Sequence, residues 1–307
     1  SKLEFEEANN SIYTFVGAFS TTDNELHAVL GFISPTVYAH QEVKIGDDIW
    51  LAIWKVDKTL SKNSALGLDI LDYLKRQVRP STITGIGMNK TVEGLYRLLG
   101  YKTGVLTQVY LLNPSYESFK IANISEQRSV EKQHNAVHAA SLVEVDWNSD
   151  QIDEQLISNQ SPKKDFLYAK GRFASHPRYD YKLLALEEYS NNVSKTLSYF
   201  IVRMISVSDK RCLRIVDAYS VCNLNKSHLP AFQGYLITNE LEYLDVVADE
   251  NSASIFEGVG FTRNSEVNFV PHLFEPFVPS MHNIRYATTS DSNFSMFKGD
   301  SDLDRPN

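Results

Sequence analysis

Cysteine is scarce in this sequence, because its 307 residues include only Cys212 and Cys222. Neither stands in a Cys-x-x-Cys or Cys/His spacing, which argues against a disulfide framework and against a zinc site. The pattern is typical of a reducing compartment, and we expect a cytoplasmic location. The acidic tail residues Asp300, Asp302 and Asp304 lack the glycine and later glutamate of a calcium-binding loop. We therefore expect no bound metal.

Long hydrophobic runs and an excess of basic residues are also lacking. No apolar stretch approaches the about 20 residues that span a bilayer, and no signal-peptide pattern is present, so we expect no membrane partner. Because the sequence begins at Ser1 and not at methionine, a short segment could precede it, and the missing targeting signal carries little weight. The net charge of -8 argues against a nucleic-acid partner, whose phosphates need a strongly basic face.

The composition, 43% apolar and 22% charged residues, is typical of a globular protein. The length of 307 residues is sufficient for two domains. Stretches 11–19, 27–34 and 49–56 are rich in β-branched and aromatic residues and predict strands. The third carries one charge in eight residues, which is typical of a central strand covered on both faces. Apolar residues at helical spacing between Gly67 and Val78 predict a helix that ends before Pro80.

The second half of the sequence repeats part of the first at an offset of 160 residues. The matched residues are Asn89, Tyr96, Gly100 and Tyr101 in the first half and Asp249, Phe256, Gly260 and Phe261 in the second. A strand, turn and helix ending in glycine and an aromatic, found twice, indicates a duplicated domain, with chance similarity as the alternative. A polar stretch around 113–165 separates the halves, and we predict domains of residues 1–145 and 146–307.

The stretch Asn89–Tyr101, NKTVEGLYRLLGY, resembles the N-x-x-A/G-x-x-L-Y-x-x-x-G-F/Y signature of the Gcn5-related N-acetyltransferases, the GNAT superfamily. The resemblance implies an α/β (α+β) protein of two tandem GNAT-like domains, each a mixed, mostly antiparallel central sheet flanked by helices. It also implies that the helix after Asn89 packs beside the pantetheine arm of coenzyme A, and that Tyr96 protonates the departing thiolate. The alternative is a core tyrosine with a satisfied hydroxyl.

A second stretch, KNSALG at 62–67, resembles the GNAT pattern R/Q-x-x-G-x-G/A at the start of a helix, with Lys and Ala substituted at two places. Small residues at a helix N-terminus let a pyrophosphate approach its unpaired N–H groups. The alternative is a plain helix start capped by Asn63 or Ser64. The resemblance implies an acyl-CoA site formed by Trp54, Val56, Lys62, Ala65, Leu66, Gly67, Asn89 and Tyr96.

The second half departs from the family pattern in two places. Phe256 replaces the tyrosine, and the link after the strand RIVDAYSV is about four residues shorter, at the position of the phosphate loop. We therefore predict that the first domain binds acyl-CoA and that the second has lost this role.

Three charged residues, Arg203, Asp217 and Asp245, lie in otherwise apolar predicted strands of the second half. Isolated buried charges are costly, so we expect these groups to meet one another or a ligand. A structural ion pair between Arg203 and Asp217 is the alternative. The stretch 172–182 also concentrates histidine, arginine and tyrosine.

The domain arrangement and the tail FKGDSDLDRPN resemble a narrower group of two-domain GNAT enzymes from bacterial surface-polysaccharide (lipopolysaccharide O-antigen or capsule) pathways. These acylate the amine of a dTDP-linked amino-dideoxy sugar, and the resemblance implies that the second domain, residues 146–307, contributes the amino-sugar nucleotide site. The resemblance implies direct attack of the amine on the thioester of acetyl-CoA or 3-hydroxybutanoyl-CoA, with a backbone N–H near Trp54 to Val56 facing the oxyanion. The candidate proton acceptors are Asp217, Asp245, His176 and Glu275, and the candidate substrate-binding residues are Arg203, Asp217, Tyr179 and Arg305.

Other functions remain open at this point. A GNAT enzyme could act on a protein lysine or another small-molecule amine, and a noncatalytic acyl-CoA sensor would need the same cofactor site. A duplicated GNAT ligase that uses aminoacyl-tRNA is disfavoured by the negative net charge. Aromatic-rich surface stretches fit a homodimer as well as a substrate cleft.

Overall fold

The computed structural model describes residues 2–6, 14–38, 46–57, 59, 65–125, 140–158, 162–190, 193–274, 277–290 and 294–300. Its strands are β1 Lys2–Glu6, β2 Thr14–Phe19, β3 Leu26–Ile33, β4 Ile49–Val56, β5 Ile83–Met88, β6 Lys102–Val105, β7 Thr107–Leu112, β8 Ala140–Val145, β9 Tyr181–Ser190, β10 Val193–Val207, β11 Lys210–Tyr219, β12 Tyr243–Ala248, β13 Thr262–Arg263, β14 Leu273–Phe274, β15 Phe277–Val278 and β16 Arg285–Thr288. Its α-helices are α1 Pro35–Tyr38, α2 Leu66–Val78, α3 Lys90–Leu98, α4 Glu154–Ser158, α5 Phe166–Ala169, α6 Leu229–Thr238 and α7 Glu250–Val259. Among these described helices, none is long and apolar enough to cross a membrane.

The chain forms two compact units, and each is assembled from separate stretches of sequence. The first unit contains Ser1–Gly104, Ser161–Gly171 and Arg285–Phe294, and the second contains Val105–Gln160, Arg172–Ile284 and Ser295–Asn307. This division differs from a single boundary between residues 145 and 146. The reason is topological, because β7 and β8 from the first half of the sequence belong to the sheet of the second unit, and β16 from the second half belongs to the sheet of the first unit.

The sheet of the first unit has the strand order β1-β2-β3-β4-β5-β16-β6. Strands β4 and β5 pair in parallel, whereas β1 with β2, β2 with β3, β3 with β4, and β5 with β16 pair antiparallel. Because side chains alternate along β4, Leu51 faces a core shared with α2 and α3, and Trp50 faces the opposite side, where it stacks on Tyr168.

The sequences of α2 and α3 explain where these two helices begin and end. In α2, Leu66, Ile70, Leu71 and Leu74 are buried on one side, which explains the predicted apolar spacing. The helix ends at Arg79, whose left-handed φ of 47° precedes Pro80. In α3, the Asn89 side chain accepts a hydrogen bond from the Val92 N–H at 2.9 Å and so caps the first turn.

The sheet of the second unit repeats this arrangement, with the order β13-β7-β12-β11-β10-β9-β8 and one parallel pair, β11 with β12. Helices α6 and α7 cover one face through Phe232, Leu236 and Phe256, which are fully buried. The predicted fold class, mixed α/β with two mixed, mostly antiparallel sheets flanked by helices, is confirmed.

Candidate functional site

The parallel strands β4 and β5 of the first unit separate after a short paired region. Pairing runs from Ile49 opposite Ile83 to Leu51 opposite Gly85, but β4 continues to Val56 and β5 to Met88. No other described strand pairs with β4 on that side. We call the gap between residues 52–56 of β4 and 86–88 of β5 the first fork.

Backbone N–H groups of β4 face the first fork. The Asp57 N–H donates to the His27 carbonyl oxygen of the strand region on the other side, at 2.8 Å. Because N–H directions alternate along a strand, the N–H groups of Trp54 and Val56 point the other way, toward the fork. These are the residues for which the family resemblance implied oxyanion contacts.

The start of α2 adjoins the β4 side of the first fork. The Trp54 indole N–H donates to the carbonyl oxygen of Gly67 at 3.1 Å. A Cβ added at Gly67 would make van der Waals contact with Val56 Cγ2 at 3.4 Å, so position 67 lies directly beside β4. Ala65 stands at the N-cap and its side chain makes no capping hydrogen bond. The partial positive charge of a helix start favours a nearby anion.

Tyr96 places a hydroxyl at the point where the first fork begins. Its ring is 3% exposed and packs against Trp54 and Tyr101, with centroids 5.7 Å and 5.0 Å away. The hydroxyl oxygen lies 3.4 Å from the position of a Cβ on Gly85, the last residue of β5 that pairs with β4. Among the described residues, no group makes a hydrogen bond with this hydroxyl. Burial raises the pKa of Tyr96 well above that of a free tyrosine, so the hydroxyl keeps its proton at neutral pH.

The remaining predicted cofactor-binding residues are Leu66, Asn89 and Lys62. Leu66 is buried in the core, so only its backbone can contribute to a ligand site. Asn89 shapes the site through α3, because its side chain is used as the helix cap. Lys62 lies outside the described residues. The structure thus brings Trp54, Val56, Gly67 and Tyr96 together.

In the second unit, the corresponding strands β11 and β12 also separate, but a segment of the chain lies in the gap between them. Strands β11 and β12 pair from Leu213 opposite Leu244 to Ile215 opposite Val246. We call the gap beyond, at 216–219 and 247–248, the second fork. Residues 296–299 lie in this gap and hydrogen bond to both strands.

Asp245 has a different partner from the one that we predicted. It lies opposite Arg214 in the parallel pair, and Arg214 Nη2 is 2.6 Å from Asp245 Oδ2, with both side chains fully buried. Gln108 of β7 donates to the same carboxylate oxygen at 2.5 Å. The expectation that Asp245 meets Arg203 or Asp217 is thus corrected, because the register of β11 and β12 sets Arg214 beside it.

Arg203 lies in a cluster with His176 and Tyr179, which we call the aromatic–guanidinium cluster. The Arg203 guanidinium lies 4.2 Å from the Tyr179 ring centroid, and the His176 ring stacks on Tyr179 with centroids 5.4 Å apart. His176 Nδ1 accepts the backbone N–H groups of Arg178 and Tyr179, at 3.3 Å and 3.1 Å. A neutral His176 therefore carries its proton on Nε2, where it donates and does not accept.

Asp217 is fully buried, and its carboxylate accepts from the Ala218 N–H and the Tyr219 hydroxyl, each at 3.0 Å. Glu275 and Arg305 lie outside the described residues. Sequence reasoning missed Arg214, which was visible as a charge within an apolar strand. It also missed the role of residues 296–299, for which only the glycine at 299 gave a signal.

Comparison of the sequence with family models gives no match, and comparison with curated proteins gives no significant match. Among solved structures, a conserved protein of unknown function and probable N-acyltransferase from Enterococcus faecalis V583 shares 8% identity over 90% of this chain and 62% of its own, with a TM-score of 0.50. A GCN5-related N-acetyltransferase from Anabaena variabilis ATCC 29413 shares 10% identity over 89% of this chain and 62% of its own, with a TM-score of 0.52. This chain therefore spans less than two thirds of each of these two proteins, and the likeness shows a shared fold.

Proposed function

We propose that this chain is an acyl-CoA-dependent N-acyltransferase whose thioester site is the first fork. One observation carries the proposal: Tyr96 places a hydroxyl that keeps its proton at the start of the first fork, toward which the N–H groups of Trp54 and Val56 also point.

The residues around the fork suit an acyl-CoA, which would supply the acyl group as an activated thioester. The N–H groups of Trp54 and Val56 donate toward an extended chain or a carbonyl oxygen in the fork. The start of α2 offers backbone N–H groups to phosphates. Tyr96 Oη holds a proton for the leaving sulfur. None of these roles requires a charged side chain of the first unit.

For the acceptor, we propose the amine of a nucleotide-linked amino sugar, specifically a dTDP-linked amino-dideoxy sugar such as dTDP-3-amino-3,6-dideoxygalactose, in surface-polysaccharide biosynthesis. The aromatic–guanidinium cluster of the second unit supports this class of acceptor. An aromatic face can stack on a nucleobase, and a guanidinium pairs with phosphate. Of the predicted proton acceptors, Asp217 and Glu275 stay candidates for taking the ammonium proton, whereas Asp245 is paired with the buried Arg214 and His176 Nδ1 already accepts two backbone N–H groups. Arg203, Tyr179, Asp217 and Arg305 stay candidates for binding the sugar nucleotide.

The test is thiol release from acetyl-CoA and from 3-hydroxybutanoyl-CoA, each with a panel of dTDP- and UDP-linked amino sugars. The matched control for each amine is the same nucleotide sugar with a hydroxyl in its place. We expect release only with an amine, and a product mass increased by the acyl group. Binding of coenzyme A without turnover on any amine of the panel would contradict the amino-sugar acceptor and favour a different amine acceptor or an acyl-CoA sensor.

A further inference from the structure

We infer that the second unit binds no acyl-CoA because residues Met296–Gly299 of the same chain occupy its fork, so that each chain holds one thioester site. This inference rests on the proposed function of the first fork. It concerns the second fork, whose strands and helix match those of the first by topology.

The segment 296–299 hydrogen bonds to both strands of the second fork. The Gly299 N–H donates to the Val216 carbonyl oxygen of β11 at 2.8 Å, and the Lys298 N–H donates to the Val247 carbonyl oxygen of β12 at 2.8 Å. Phe297 forms an antiparallel bridge with Ala248. The segment thus uses the backbone groups that an extended ligand would need.

The ends of the segment are fixed as well. Met296 exchanges two hydrogen bonds of 2.8 Å with Asp249, one through its carbonyl oxygen and one through its N–H. Arg172 Nη2 donates to the Gly299 carbonyl oxygen at 2.5 Å. Met296 and Phe297 are fully buried, so withdrawal of the segment would expose two large apolar side chains.

Position 299 requires glycine because the segment 296–299 lies very close to the backbone of β11. A Cβ at this position would overlap the carbonyl oxygen of Val216 and lie 3.3 Å from its Cβ. The backbone of the segment therefore lies directly against β11, and no space is left for a second extended chain.

The helix of the second unit agrees with this assignment. Phe256, which matches Tyr96 of the first unit, is fully buried and packs on Phe200 and Phe261 with centroids 6.3 Å and 5.2 Å away. It has no hydroxyl to offer a leaving group. Both the groove and the proton donor of the first fork are thus missing from the second.

The first arm of the test is the stoichiometry of coenzyme A binding to the full chain, measured by isothermal titration calorimetry. We expect one coenzyme A per chain, and none after Gly67→Trp, which obstructs the first fork. Two sites per chain, or one site that survives Gly67→Trp, would overturn the inference. A wild-type chain with no binding at all would instead overturn the proposed function of the first fork.

The second arm needs no ligand, and so separates the two claims. In the free protein, we expect hydrogen exchange at the Lys298 and Gly299 amides to be slowed at least 100-fold relative to an unstructured peptide. Gly299→Val should accelerate exchange there, whereas Gly258→Ala should not, because a Cβ at Gly258 meets no atom within 4 Å. Exchange of the wild-type amides at the peptide rate would show that the segment leaves the fork, and would overturn the inference.

Discussion

The first fork and the second fork are formed by equivalent strands, but only the second is occupied by a described segment of the chain. Beyond the last parallel pair, the first fork presents the N–H groups of Trp54 and Val56 and the Tyr96 hydroxyl, with no described strand between its arms. In the second fork, residues 296–299 take up the carbonyl groups of Val216 and Val247. A split sheet leaves backbone groups that need partners, and either a ligand or a piece of the chain can provide them.

The polar side chains near the two forks also differ. In the second unit, Arg214 and Asp245 are both fully buried and form an ion pair. In the first unit, the Tyr96 hydroxyl lies beside the gap and makes no hydrogen bond with a described residue. A buried ion pair favours a structural role, whereas a protonated hydroxyl beside a gap favours a chemical role.

The largest expected effect comes from Tyr96→Phe, which removes the hydroxyl and keeps the ring. We expect kcat to fall by about 10²–10⁴-fold while the affinity for coenzyme A stays within a few fold, because the hydroxyl acts on the leaving sulfur. The measurement is thiol release under saturating acyl-CoA, together with calorimetric binding.

Tyr101→Phe is the matched control, since it makes the same change in the neighbouring ring, whose hydroxyl is also buried without a partner in the described structure. We expect its turnover to remain close to that of the wild type. Equal turnover of Tyr96→Phe and Tyr101→Phe would remove the chemical distinction between the two forks.

A second effect should appear in stability. Asp245→Asn leaves the Arg214 guanidinium buried without its counterion, and we expect the free energy of unfolding to fall by about 3–5 kcal/mol. Glu257→Gln is the control, because Glu257 pairs with the partly exposed Arg263 at 2.6 Å. We expect a loss below about 1 kcal/mol from that exposed pair. Urea denaturation measures both, and similar losses for the two variants would contradict a structural role for the buried pair.

A smaller effect concerns pH. Burial, with the nearby charges of Arg214 and Lys298, lowers the pKa of His272 from its ordinary 6.5 to about 2. Between these two pH values, His272 is therefore protonated in the unfolded chain and neutral in the folded chain. Stability from this group is complete above pH about 6.5 and falls by about 1.4 kcal/mol for each pH unit below it.

His272→Asn should flatten this dependence, because asparagine can still accept the His282 N–H that His272 Nδ1 accepts at 3.1 Å. The difference between wild-type and variant unfolding free energies, measured by urea denaturation from pH 7 to pH 5, gives the contribution. A pH dependence unchanged by the substitution would show that His272 is protonated in the folded protein.

The sequence predicted much of each unit but little of how the units are assembled. Residues 49–56 form β4 as predicted, and the apolar spacing after Gly67 marks α2, because these patterns are local. No local signal places β7 and β8 in the sheet of the second unit or β16 in that of the first, since a strand of either sheet needs the same alternation of side chains.

The same limit applied to the candidate site. The spacing from Asn89 to Tyr101 was sufficient to single out Tyr96, because the cap at Asn89, helix α3 and the glycine at position 100 follow one another directly in the sequence. The partner of Asp245 depended on the register of two strands that are 31 residues apart at Arg214 and Asp245. Such a register is set by the packing of the whole sheet and cannot be read from either strand.

The central claim is that the first fork, and not the second, receives the acyl-CoA. The most direct measurement is hydrogen exchange of the full chain with and without saturating coenzyme A, resolved by mass spectrometry of short peptides. We predict new protection in residues 49–56 and 66–71, with no change in 213–219 and 296–300. Protection confined to the second set, or shared equally by both, would contradict the account.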